Sequence, residues 1–301
     1  MDLSSLDSVA QAARTVTTES DHLDILMLNA GVMAAPPGLT QDGYELQFGT
    51  NYLGHALLAK LLLPLLERTA ASSSPQDVRI VAISSHGYVY APQEGVLFDS
   101  LRKPADDLGA FGRYGQSKLA MVLWTRYLAR KYPQFTCASI HPGVVRTNLM
   151  NNATGSPPII RLLGKVTSMI FTSVDQGVRN QLWASVSKDV KSGEYYEPVG
   201  IGGPVSPLGE DDALAQRIWD WTEKELERYV TGILVDVPAS GSLKHRQYAV
   251  WSQYAQQFNL KAKYYSWRDT GITALFCIST YLCVFIMMKL RSKKTETARS
   301  G

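Results

Sequence analysis

The sequence predicts an α/β fold, with a doubly wound parallel sheet carrying helices on both faces. Three observations predict it. Short apolar runs, each the length of a strand, alternate with longer stretches of helical period. The runs are apolar on both faces, as strands buried inside a parallel sheet must be. Each run also stops at a cluster of polar residues or glycine: Asn29-Ala30-Gly31, Ser84-Ser85 and His141-Pro142-Gly143. In such sheets ligands sit beyond the carboxyl ends of the strands, so these clusters mark one common rim.

In order, Ser4 or Ser5 can cap a first helix carrying Leu6, Val9, Ala13 and Val16 at helical spacing. Asp24 to Leu28 is the first strand, and Gly31 permits a tight turn at its end. Leu46 to Leu66 is a long Leu- and Ala-rich helix interrupted by Asn51 and His55. Val78 to Ile83 is the second strand, followed by an irregular segment to Gly109 and a helix over Phe111 to Leu128. Phe135 to Ile140 is the third strand. Helices are expected over Pro157 to Phe171 and Val174 to Ser187, a short strand over Glu194 to Val199, and an amphipathic helix over Asp211 to Tyr229. Residues 230 to 266 show no clear period.

The chain has 301 residues, 45% hydrophobic and 19% charged, enough for one large domain with a real core. A net charge of +3 and the lack of a basic stripe with interleaved aromatics argue against a nucleic-acid partner. Cys137, Cys277 and Cys283 have neither metal nor disulfide spacing, which suits a reducing compartment. Near the C-terminus, Gly271 to Met288 holds eighteen residues without a charge, preceded by Trp267 and Arg268 and followed by Lys289, Arg291, Lys293 and Lys294. That length and those flanks predict a transmembrane helix over 269–290 with a basic tail over 291–301.

The chemistry is expected near Tyr114 and Lys118, four residues apart and so on one helix face. A cation beside a phenol favours phenolate, and a phenol tuned toward neutral pH can exchange a proton with a substrate oxygen. The spacing alone is weak, because Tyr127 and Lys131 repeat it later in the same helix. Singly, Asn51, Ser85 and Thr147 would read as a helix cross-link, a turn residue and a helix cap.

Together these residues resemble the short-chain dehydrogenase/reductase family, in its retinol-dehydrogenase-like branch, from Asp2 to about Tyr229. The signals, in family order, are Asp2-Leu3, Leu28-Asn29-Ala30-Gly31, Asn51-Tyr52-Leu53-Gly54-His55, Ile83-Ser84-Ser85, Tyr114-Gly115-Gln116-Ser117-Lys118 and His141-Pro142-Gly143-Val144-Val145-Arg146-Thr147. The resemblance implies a Rossmann-like domain binding NADP or NAD, NADP being the favoured one, that interconverts an alcohol and a ketone or aldehyde. It implies that Asp2 and Leu3, at a strand end, contact adenine, and that Asn29, Ala30 and Gly31 close the adenine side. Ser85 would hold the substrate oxygen and Tyr114 exchange its proton. Lys118 would lower the Tyr114 pKa and hold the nicotinamide ribose, and Asn51 would fix a water leading from Lys118 to solvent. Pro142, Gly143, Val145 and Thr147 would grip the carboxamide. His86 and His141 lie beside the motifs without an assigned role.

The resemblance also implies a strand, a Gly-rich turn and a helix ahead of Asp2, and no Gly-x-x-x-Gly-x-Gly follows a strand here. The expectation is an N-terminally truncated catalytic domain over 1–229, then a linker over 230–268. Three explanations stay open: a longer gene product, a non-catalytic relative serving as a membrane-anchored binding protein, or a homodimer whose partner completes the sheet. The substrate expected is a small, lipophilic alcohol or carbonyl. The expected location is a membrane, crossed once near the C-terminus, with the catalytic part facing the cytosol.

Overall fold

A computed structural model describes residues 1–72, 77–145, 153–155, 173–197, 199–202 and 205–234. Its centre is a four-stranded parallel sheet in the order β1-β2-β3-β4: Ile25–Leu28, Arg79–Ile83, Thr136–Ile140 and Tyr195–Tyr196. Neighbouring strands pair in register, Ile25 with Arg79, Arg79 with Thr136 and Ser139 with Tyr195. This is a Rossmann-like α/β sheet. The strands are where the apolar runs put them, shortened by a residue or more; β4 keeps only two residues of the expected six.

Both faces are covered, as continuous burial of β2 requires. One face, with Leu26, Leu28, Ile80, Ala82, Cys137 and Tyr195, packs on α1 (Leu6–Glu19), α3 (Gly54–Ser72), α4 (Gly109–Lys131) and α7 (Asp212–Leu234). The other, with Val81, Ile83, Ala138, Ile140 and Tyr196, meets α6 (Arg179–Val186) through Ala184 and Trp183. Buried Arg79 closes that contact, donating through Nη1 to the carbonyls of Ala184 (2.9 Å) and Ser187 (2.7 Å) at the end of α6. A guanidinium there satisfies carbonyls that the helix itself leaves free.

Ser5 caps α1, its Oγ accepting from Ser8 N–H, as the sequence leads one to expect. Asp2 and Leu3 lie in the turn that leads into α1. The Asp2 carboxylate accepts from Ser4 N–H and Ser4 Oγ, each at 2.8 Å, and Leu3 is buried in the core. An Asp two residues before a serine prefers this local turn over an extended run.

The long helix is continuous but not uniform. A three-residue α2 (Leu46–Phe48) runs into a π-helical turn, Gly49–Leu53, and then into α3, which tolerates Pro64. The Val174–Ser187 helix is two pieces, α5 (Val174–Gly177) and α6, broken at Val178. The irregular segment before α4 holds three 3₁₀ turns, His86–Tyr90, Phe98–Ser100 and Asp106–Leu108. Gly115 lets α4 sit on the first of them: a Cβ there would lie 2.4 Å from Ala91 N and 2.5 Å from Tyr90 C, both backbone atoms. Helix α7 reaches Leu234, five residues beyond the expected end, and lies along α4. Tyr127 stacks on Trp219 at 5.1 Å, within the contact between α4 and α7.

The helix expected over Pro157 to Phe171, the membrane helix over 269–290, the basic tail and most of the linker lie outside the described residues. Among the described residues no helix is long and apolar enough to cross a membrane.

Candidate active site

The rim of the sheet gathers most of the expected side chains. Ser85 leaves β2 in extended backbone and caps the turn His86–Tyr90, its Oγ accepting from Gly87 N–H at 3.1 Å. That leaves its own hydroxyl hydrogen free to favour the ionised Tyr114 phenol, which lies beside it. Gly87 makes room for the pair, since a Cβ there would lie 2.7 Å from Tyr114 Cε1. Tyr114 and Lys118 share a face of α4, with Lys118 Nζ 5.8 Å from the centre of the phenol ring. Lys118 reaches under the strand end and donates to Ile83 O at 2.9 Å, and Ser84 Oγ donates to the Lys118 carbonyl at 2.8 Å.

Asn51, on the π-helical turn, is fully buried. Its Oδ1 accepts from Val32 N–H at 2.7 Å, and its Nδ2 donates to Val32 O and to Ser117 Oγ, both at 2.9 Å. It therefore clamps the turn after β1 to α4. Gly31 passes between Asn51 and Lys118: a Cβ would lie 2.8 Å from Asn51 Oδ1 and 3.6 Å from Lys118 Nζ. One turn on, His55 Nε2 donates to Ala30 O at 2.7 Å, and burial pushes its pKa down to about 4, so the ring is neutral. Asn51 and His55 together fix Ala30, Gly31 and Val32. Asn29 lies in the same turn, directly after β1.

The electrostatics differ from the sequence reading. Burial raises the Tyr114 pKa above the ordinary phenol value, and the Ser85 hydroxyl is what opposes it. Lys118 is itself desolvated, with a pKa pushed down to about 8, and donates to Ile83 O. In a site this dry, removal from water outweighs the groups that favour the charged phenol.

On the third strand's end, Pro142 and Gly143 follow β3, with Gly143 at φ +85° and open space around its Cα. Val145 is wedged against Gly177, where a Cβ would lie 2.3 Å from Val145 Cγ2. Thr147 lies outside the described residues, and Asp2 and Leu3 belong to the turn before α1.

Sequence reasoning missed Glu197, Tyr195 and Ser117. Glu197 follows β4 and pairs with His86 Nδ1 at 2.9 Å, while Tyr195 donates to its other oxygen at 2.7 Å. Its position just past a strand end was the available signal, but β4 is too short to stand out.

A nicotinamide dinucleotide fits the nicotinamide-ribose half of this rim. Gly31 and Gly143 keep the backbone bare at the strand ends, and Lys118 offers a buried donor between them. Bound there, the dinucleotide would supply the hydride.

Comparisons with known proteins agree. A family profile described as Enoyl-(Acyl carrier protein) reductase matches residues 1–169. An uncharacterized oxidoreductase of Schizosaccharomyces pombe is 39% identical over 235 residues, which cover 75% of this chain and 68% of the yeast protein. A short-chain dehydrogenase/reductase of Aspergillus calidoustus is 35% identical over 242 residues, 76% of each chain. Retinol dehydrogenase 13 of Mus musculus is 36% identical over 228 residues, 73% of this chain and 64% of the mouse protein. Among solved structures, an uncharacterized protein from Mycobacterium paratuberculosis matches with TM-score 0.54 and 29% identity, over 75% of this chain and 74% of that one.

Proposed function

Because the chain belongs to the short-chain dehydrogenase/reductase family, an NAD(P)-dependent class of oxidoreductases acting on alcohol and carbonyl groups, we propose that Tyr114 is its general acid/base. The observation that carries this reading is the convergence of Ser85, Tyr114 and Lys118 at the rim of the sheet, with Lys118 Nζ 5.8 Å from the centre of the Tyr114 ring and Ser85 beside the phenol at Gly87. Ser85 holds the substrate oxygen, and Tyr114 donates a proton to the developing alkoxide in reduction or takes one from the alcohol in oxidation. Lys118 holds the ribose of the nucleotide. Asn51 acts by clamping Val32 and Ser117, and its free Oδ1 lone pair is the place for a water. Pro142, Gly143, Val145 and Thr147 grip the carboxamide. NADP is the nucleotide we favour, on the family resemblance.

Direct titration tests the reading: the reduced nicotinamide's fluorescence should rise and saturate as the purified chain is added. A flat titration with both NADPH and NADH would defeat it.

The domain plan is part of the same proposal: a catalytic domain over 1–229, a linker over 230–268, a membrane helix over 269–290 and a basic tail. An anchored enzyme of this kind meets substrates dissolved in the bilayer, so the substrate proposed is a lipophilic alcohol or carbonyl compound. The apolar run Gly271 to Met288 is the basis. Residues 1–268 should stay in the supernatant under conditions that sediment the full chain with membranes. Sedimentation of the folded, unaggregated short form would exclude the anchor.

A further inference from the structure

A buried ion pair with no part in the chemistry above holds the loop after β1 in a strained shape. Among the described residues only Ala34 (φ +46°) and Ala105 (φ +51°) are non-glycine residues in left-handed backbone. An alanine keeps that conformation only where its surroundings impose it. One side chain serves both places. Arg113, 1% exposed, donates through Nη2 to Ala35 O at 2.9 Å and through Nη1 to Ala105 O at 3.1 Å. Its Nε faces Glu45 Oε1 at 3.4 Å. Glu45 is fully buried and caps α2, its other oxygen accepting from Phe48 N–H at 2.7 Å.

The strained loop is a ledge for another part of the chain. Gly155 N–H donates to Ala34 O at 2.9 Å, and a Cβ on Gly155 would lie 2.4 Å from Ala35 O, so residues 153–155 sit directly on it. Ala34, Ala110 and Ala153 form one buried cluster, with Met33 and Phe111 half-buried against it. Ala110 and Phe111 precede Tyr114 by four and three residues on α4, which puts them on its face of the helix, with Cβ atoms about 5–6 Å apart. The Phe111 ring meets the Tyr90 ring edge-on at 6.0 Å, and Tyr90, 58% exposed, ends the turn that Ser85 caps. Ledge, helix and turn together make an apolar wall beside Tyr114.

We propose that Arg113, backed by Glu45, is a positioning residue for substrate binding, a role that rests on Tyr114 being the acid/base. Arg113 holds the Ala34–Ala35 ledge, and the ledge seats residues 153–155. The wall closed in this way presents Met33, Phe111 and Tyr90 to the hydrocarbon part of an alcohol whose oxygen lies at Tyr114. A guanidinium suits the task because its planar fork reaches two carbonyls at once, where an ammonium is a single point. The ligand class is an uncharged alcohol or carbonyl compound with an apolar body. A carboxylate placed against this wall would lose its water and gain no partner.

The test uses the full chain, with the alcohol that the wild type oxidises fastest among a series of straight-chain and cyclic alcohols. Removing one member of a buried ion pair can unfold a protein. Two milder variants are therefore compared, with thermal melting to establish that each is folded. Arg113→Lys keeps the charge and loses the fork; Gly155→Ala leaves the ion pair intact and pushes residues 153–155 off Ala35 O. Each should raise the KM for the alcohol about tenfold, with kcat unchanged. Each should also bind the reduced nucleotide, titrated by its fluorescence, as tightly as the wild type. In the wild type, the matching hydroxy acid should have a higher KM than the plain alcohol. A wild-type KM in either folded variant, or a loss confined to kcat, would overturn the positioning role; a hydroxy acid bound as well as the alcohol would overturn the ligand class. If Tyr114→Phe is inactive while both variants behave as wild type, this role alone falls; an active Tyr114→Phe removes the reading beneath it.

Discussion

Tyr114→Phe should lose turnover by at least about a hundredfold while keeping its fold, since a positioned acid/base contributes roughly 10²–10⁴. The phenol is 5% exposed, and the ring packs beside Gly87, so phenylalanine fills the same space. What disappears is one oxygen and its polar interaction with Ser85, a change of about 1 kcal/mol or less in stability. Steady-state kinetics and thermal melting of the same preparation check it. A variant within a few-fold of wild type would remove Tyr114 from the chemistry.

The second large effect separates stability from activity. Lys118 has a pKa of about 8 in the fold, against 10.5 in the unfolded chain. Between those values the unfolded chain binds the extra proton, so folding stability rises with pH across that window. The sign is opposite to that of a lysine gaining an acidic partner, because desolvation is the cause. The full rise is about 3 kcal/mol, at about 1.36 kcal/mol per pH unit. Lys118→Met should be inactive and should lack this rise, although it also forfeits the hydrogen bond to Ile83 O. Urea unfolding of both proteins at pH 8 and pH 10 measures the difference. Parallel pH dependences would mean that the ammonium is not desolvated.

These expectations show which parts of the molecule were legible beforehand. Tyr114, Lys118, Ser85 and Asn51 could be placed on one rim because each sits at a fixed offset from a strand end or on a helix of clear period. The same logic found β1, β2 and β3, whose apolar runs are unbroken. The net rise of the Tyr114 pKa was not legible, because burial is a property of the assembled fold. Glu197 was missed for a related reason: its partners, His86 and His141, come from distant strand ends, and β4 is two residues long. The buried Glu45 and Arg113, 3.4 Å apart, likewise carry no local signature. Arg113 also binds Ala105 O and Ala35 O, tying the loop after β1 to the start of α4.

At the wide turn Gly49–Leu53 the count of residues matters as well as their type. It holds one residue more than an α-helical turn would, and that surplus lets Asn51 meet Val32 while His55 still meets Ala30. Removing a single position from this stretch would wind it into ordinary helix and swing one of those side chains about 100° away from the other's bearing.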